Sequence, residues 1–263
     1  MERKVHLEIG EFYHVYNRGV EKRTIFKNTG DYQRFMALLY IANSDKAIHI
    51  SDYNRHNFFE EIFTKERGKP LVAIGAYCLM PNHFHLLLTP LVDEGVSKFM
   101  LKIQTGYSMY FNKKNDRVGA LFQGVFKSQH INKNRYLMHI YSYIHLNPAK
   151  LQNIAWKTQK KAFLKTIKKF ITTYPYSSLS EYLSENYKII NPKPFPINKK
   201  DVSDYNSIVE NYSQEFSFVE EPSKTEEEEK NGLEDTIHTT IEPKVVPEKV
   251  NPPNTFVSYT DLP

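Results

Sequence analysis

Residues 78–90 read CLMPNHFHLLLTP: an apolar run, a Pro-Asn step, then two histidines flanking one phenylalanine at the head of a second apolar run. Pro81-Asn82 interrupts a backbone ladder and suits a tight turn, so LVAIGAYCLM (71–80) and HFHLLLTP (83–90) read as the strands of a hairpin. Side chains alternate along a strand, which puts His83, His85 and Leu87 on one face and Phe84, Leu86 and Leu88 on the other. The two imidazoles then lie roughly 7 Å apart at Cα, close enough to share one divalent ion. A lone buried histidine is ordinarily satisfied by backbone or water. A His-x-His pair opening a buried strand favours a metal site.

The flanking segments extend the hairpin into a sheet. FYHVYNRG (12–19) alternates aromatic and β-branched residues and ends at Gly19, as a strand does. Asn28 or Asp31 can cap a helix through DYQRFMALLYIANS, where Phe35, Leu38, Leu39 and Ala42 recur at helical spacing. Residues 46–70 are polar and irregular, a loop insertion. VSKFMLKIQTGYSMYFNKK (96–114) is an amphipathic helix with Phe99, Ile103, Tyr107 and Tyr110 on one side, and LFQGVFKSQHI (121–131) reads as a fourth strand. Asn132 or Asn134 can cap a further helix over 135–146, stopped by Pro148. The order β-α-β-β-α-β plus one helix predicts an α+β, ferredoxin-like (RRM-like) antiparallel sheet with helices on one face and an additional helix beyond it. That layout hosts many activities, so fold alone leaves function open.

Two histidines are too few to hold a catalytic ion, and the last helix, YLMHIYSYIHLNPAK (136–150), is where a third ligand is sought. Leu137, Ile140, Tyr141 and Ile144 form its apolar stripe; Tyr136, His139, Tyr143 and Asn147 run beside it. Tyr143 and Asn147 are one turn apart, so a phenol and an amide oxygen share a face. His145 points to the far side.

The chain has 263 residues, 40% apolar and 14% aromatic, enough for one substantial core. A single cysteine, Cys78, excludes an internal disulfide, and neither a secretory h-region nor a membrane-length apolar run is visible, which predicts a cytoplasmic protein without a membrane partner. The net charge of +5 hides a split: residues 201–263 hold 4 basic and 15 acidic residues, while 1–200 hold 31 basic and 15 acidic. A body at net +16 suits a polyanion. The segment 191–263, with EPSKTEEEEKNG (221–232), reads as an acidic disordered tail behind a 1–190 domain.

YHVYNRG, MPNHFHLLL, FNKKNDRVGALFQGVFKS and YSYIHLNPAK together resemble the IS200-like, single-tyrosine (Y1) HUH transposases, nearest to their REP-associated tyrosine transposase branch. The resemblance spans about residues 8–185 and includes YPYSSLSEYL (174–183). It implies that His83 and His85 are metal ligands, that Tyr143 is the nucleophile in Tyr143-Ile144-His145-Leu146-Asn147, and that Asn147 is the third ligand. The implied cofactor is Mg²⁺ or Mn²⁺, and the implied reaction is cleavage of single-stranded or hairpin DNA through a 5′-phosphotyrosine. A phenol titrates near ~10, so a bound cation would supply the charge stabilisation that a neutral-pH attack needs. Arg18, Lys113, Lys114, Arg117, Lys127, Lys133 and Arg135, interleaved with aromatics such as Tyr16, are the candidate DNA contacts. The basic run KKAFLKTIKKF (160–170) is a further candidate grip on the backbone. Competing readings are a host-adapted enzyme that processes repeated palindromes, and an RRM-like nucleic-acid-binding module without chemistry; on any of these readings the protein is expected to be a monomer or homodimer.

Overall fold

The computed structural model describes residues 7–46, 58–152 and 162–197. The acidic stretch from 198 onward and residues 47–57 of the 46–70 insertion lie outside them, and the rest of that insertion holds a short helix and a 3-10 turn, Ile62–Thr64, rather than loop throughout. β1 (Phe12–Arg18) sits between β3 (His83–Pro90) and β4 (Lys127–Ile131), and β2 (Val72–Met80) lies outside β3, giving the order β2-β3-β1-β4 with every neighbour antiparallel. The helices between them are α1 (Thr29–Ile41), the short α2 (Phe58–Glu61) and α3 (Gly95–Lys114); α4 (Asn134–Leu146), α5 (Ala162–Thr173) and α6 (Leu179–Ser184) follow β4. This is the ferredoxin-like arrangement that the hairpin and its flanks predict.

Each sheet face has its own cover. On the Phe84 face, Phe35 of α1 lies 5.0 Å from Phe84 and 5.1 Å from Tyr107 of α3, ring centre to ring centre. Phe99, Ile103 and Tyr107 are fully buried there, as the spacing in 96–114 requires. The histidine face is covered by α4, whose Leu137, Ile140, Tyr141 and Ile144 are all buried. Asn28 caps α1 by accepting from Asp31 N, and Asp31 accepts from Lys27 N in return, a reciprocal cap that satisfies two orphan donors.

Two expectations change on inspection. The regular fourth strand is only Lys127–Ile131: Phe122 keeps an isolated bridge to Gly19, and Gly124 at φ +64° interrupts the ladder between the two. Leu121 and Phe122 then fold inward, with Phe122 edge-on to Phe84 at 5.9 Å. Helix α4 starts behind Lys133, which makes no side-chain cap, so neither Asn132 nor Asn134 serves that role. Pro148 ends α4 as expected, and the chain continues as a 3-10 turn, Asn147–Gln152.

Strand β2 is an edge by order yet buried along its whole length. Its outer side is paired by later chain: Leu79 N donates to Tyr176 O, Ser178 N to Tyr77 O and Asn191 N to Ile74 O, at 2.9–3.0 Å. Gly75 sits in a bulge where a Cβ would meet the Phe195 ring at 2.8 Å, so packing continues to residues 195–197. Glu181 fastens this cover. Its carboxylate accepts from Tyr77 Oη at 3.0 Å and from the backbone N–H groups of Lys188, Ile189 and Ile190 at 2.7–3.3 Å. Burial nonetheless raises its pKa above the ordinary 4.5, the hydrogen bonds only partly offsetting it. A raised folded pKa contributes stability that is complete below the unfolded value and lost as pH rises through the folded one. Relative to Glu181→Gln, the wild type is therefore expected to lose stability between pH 4 and neutrality; urea midpoints for both proteins across that range check it.

Candidate active site

The site is built where β1, β3 and α4 meet. The antiparallel register sets Tyr16 opposite His85 and Arg18 opposite His83, and Tyr16 is also opposite Lys127 of β4. Opposite residues share a face, so Arg18, Tyr16, Lys127, His83 and His85 all project to the α4 side. From α4, Tyr143 lies edge-on to His85 with ring centres 5.2 Å apart and edge-on to His14 at 5.8 Å. The His83 and His85 rings are 5.0 Å apart and nearly perpendicular. Tyr143 is half-buried, and Lys150, in the 3-10 turn, places its Nζ 4.9 Å from the Tyr143 ring centre.

The hydrogen bonds determine which imidazole nitrogens can accept a cation. Asn82 Nδ2 donates to Lys22 O, which turns Asn82 Oδ1 toward His83 Nδ1 at 2.6 Å. An amide oxygen only accepts, so His83 carries its proton on Nδ1 and keeps the Nε2 lone pair. His85 Nδ1 is 2.9 Å from His14 Nε2, again leaving Nε2 as the outward nitrogen. Burial, helped by Lys150 and Arg18, pushes His83 down to about 4. His85 is driven well below its usual range by burial and then by His14, His83 and Lys150. Both imidazoles are consequently neutral at pH 7, the form that ligates metal.

Asn147 ends α4, one turn beyond Tyr143. Its Nδ2 donates to Tyr143 O at 2.8 Å, while its Oδ1 is buried and has no hydrogen-bond partner among the described residues. A buried amide oxygen left unpaired costs roughly 1–3 kcal/mol, and a cation would satisfy it. Among the described residues no group of three or more His, Cys, Asp or Glu is placed to hold a metal. His145, buried with Nε2 2.8 Å from Ser178 Oγ, is structural, as its position on the far side of the helix implies.

The candidate DNA contacts separate. Arg18 bonds Gln123 at the rim, and Lys127, Lys133 and Arg135 are exposed along β4 and the start of α4. Lys114 instead spends its charge on the buried Asp31 carboxylate at 2.6 Å, and Arg117 bridges Asn112 Oδ1 and Ala120 O at 2.6 and 2.7 Å. Lys114 and the exposed Lys113 end α3 and Arg117 lies in the loop after it, in the layer across the sheet from the histidines. Two residues of the site escape a reading of the sequence alone. His14 shares the alternation of Tyr16, which hints at its face but not its neighbour, and Lys150 lies past Pro148, where nothing in the sequence signals that its side chain reaches the Tyr143 ring.

A ferredoxin-like sheet with a His-x-His strand packed against the helix that carries Tyr143 is the arrangement that the resemblance to single-tyrosine transposases predicts. The family described as IS200-like transposase matches residues 12–147, more than half of the chain, and the chain belongs to that family. A solved structure of a REP-associated tyrosine transposase bound to a REP hairpin is similar over 76% of this chain and 92% of its own, at 13% identity and a TM-score of 0.43. No curated protein matches the sequence. None of the described helices is long and apolar enough to cross a membrane.

Proposed function

We propose that the protein nicks and rejoins single-stranded, hairpin-bearing DNA through a 5′-phosphotyrosine at Tyr143, with Mg²⁺ or Mn²⁺ held by His83, His85 and Asn147. The observation that carries this reading is the packing of α4 on β3: Tyr143 lies against His85 at 5.2 Å, and the Asn147 oxygen, without a hydrogen-bond partner among the described residues, lies one turn further along the chain. The donor set fits a divalent cation because both imidazoles are neutral with Nε2 outward and the amide oxygen is unsatisfied.

Bound there, the cation would polarise the scissile phosphate and stabilise the charge that builds on its oxygens. The chain supplies the rest. The Tyr143 phenol oxygen attacks phosphorus, a P–O bond to Tyr143 forms, and the bond from phosphorus to the 3′ oxygen breaks. The phenol proton ends on the departing 3′-OH, so the strand is cut with its 5′ end on the protein and no phosphodiester energy is lost. A second 3′-OH reverses the step and joins a new strand. Lys150 over the Tyr143 ring adds positive charge where the anionic phosphate must sit. Arg18, Tyr16 and Lys127 offer a charge–aromatic–charge path for the single strand across the sheet, with Lys133 and Arg135 beyond it.

The test is incubation with 5′- and 3′-labelled hairpin oligonucleotides in Mg²⁺ or Mn²⁺, followed by denaturing gels. A cation-dependent protein adduct that retains the downstream fragment supports the reading. Tight binding across a broad hairpin panel without an adduct would instead indicate a nucleic-acid-binding module without chemistry.

A further inference from the structure

His14 is left over by the mechanism above, yet it is hydrogen-bonded ring to ring with the candidate ligand His85. It lies on β1 opposite Leu87, diagonal to His85 on the same face. The two rings stack with centres 5.1 Å apart and planes 21° apart, both are buried, and His14 Nε2 is 2.9 Å from His85 Nδ1. His14 Nδ1 is buried as well and has no hydrogen-bond partner among the described residues. An apolar side chain would fill this space without an orphaned nitrogen, so what the imidazole adds is the hydrogen bond to His85.

Only one proton fits between those two nitrogens. If it belonged to His14, neutral His85 would carry its own proton on Nε2 and present N–H, which cannot ligate. If it belongs to His85 Nδ1, the His85 Nε2 lone pair points outward and His14 acts as the acceptor. A metal-bound imidazole commonly has its second nitrogen held in this way, which fixes both ring orientation and tautomer. We infer that His14 is a positioning residue whose Nε2 accepts the Nδ1 proton of His85 and so holds His85 Nε2 ready for a divalent cation. The inference rests on the proposed cation site.

The experiment pairs two readouts on the full chain. Nitrogen-15 NMR of labelled histidines in the metal-free protein reports which His85 nitrogen is protonated, and Mn²⁺ titration calorimetry reports affinity without any DNA. The variants are His14→Leu, His14→Gln and His83→Ala. The wild type is expected to show His85 protonated on Nδ1, and His14→Leu to bind Mn²⁺ about 10–100-fold more weakly. His14→Gln, whose amide oxygen reaches to a similar place, is expected to restore affinity to within roughly 3-fold, a rescue that packing alone does not produce. Wild-type affinity in a folded His14→Leu variant, or a wild-type His85 protonated on Nε2, overturns the inference. Should His14→Leu fail to fold, the tautomer spectrum and the His14→Gln affinity still decide. Affinity that falls with His83→Ala but not with His14→Leu removes only the role of His14; affinity insensitive to His83→Ala removes the cation site and this inference with it.

Discussion

Tyr143→Phe is expected to abolish covalent capture of DNA, lowering strand cleavage by roughly four orders of magnitude or more, to background. The substitution deletes one oxygen from a side chain whose ring already packs on His85 and His14, at 5.2 and 5.8 Å, and lies under Lys150. Those ring contacts persist in phenylalanine, so the fold, Mn²⁺ affinity and hairpin binding should stay within a few-fold of wild type. The separation is what makes the result informative: chemistry vanishes while recognition stands. A second tyrosine cannot easily substitute. Tyr16 lies on the same face, but burial and then the neighbouring Tyr143 raise its pKa, which makes it a poorer nucleophile at neutral pH. An adduct persisting in Tyr143→Phe, mapped by peptide mass spectrometry to Tyr16 or elsewhere, would show the nucleophile to be misassigned.

The sheet was legible because its signals are local. Pro81-Asn82 announces a turn between two apolar runs, and the period of two in HFHLLL places the histidines without reference to any other segment. The apolar stripe of α4 likewise follows from 3.6-residue spacing, and all four of its residues are buried. Legibility failed wherever a long-range pairing decides the outcome. His14 meets His85 only because the β1–β3 register sets Tyr16 against His85, a choice among several that period two permits equally well. The stretch 121–126 has a strand's composition, but Gly124 at positive φ and the pull of Phe122 into the aromatic cluster outweigh propensity. The covering of β2 by residues 174–191 is equally invisible in sequence, since its bonds come from backbone, Ser178 and Glu181 rather than from a periodic pattern. Charge alone does not show what a cation touches. Lys114 and Arg117 read as candidate DNA contacts; within the fold Lys114 bonds Asp31, and Arg117 bonds Asn112 and Ala120.

The proposed ligands should differ from ordinary core residues in one measurable way: removing them costs the cation far more than it costs the fold. His83→Ala and His85→Ala are each expected to weaken Mn²⁺ binding by roughly 10²–10³-fold, more than loss of a residue that only supports a ligand. Asn147→Leu makes the sharper comparison. Among the described residues of the metal-free protein, the Asn147 side chain donates from Nδ2 to Tyr143 O and keeps a buried Oδ1 without a partner. Leucine forfeits the bond, worth about 0.5–1.5 kcal/mol, and relieves an unsatisfied acceptor of comparable or greater cost. The metal-free variant should therefore unfold within about 1 kcal/mol of wild type, while its Mn²⁺ affinity falls by about 10²-fold or more. If Asn147 were only an end-of-helix residue, the order would reverse, with stability lost and affinity kept. Urea denaturation in EDTA, run beside Mn²⁺ calorimetry on the same preparations, separates the two. On the proposed site, the Asn147 oxygen is a group held at a cost to stability that a bound cation would offset.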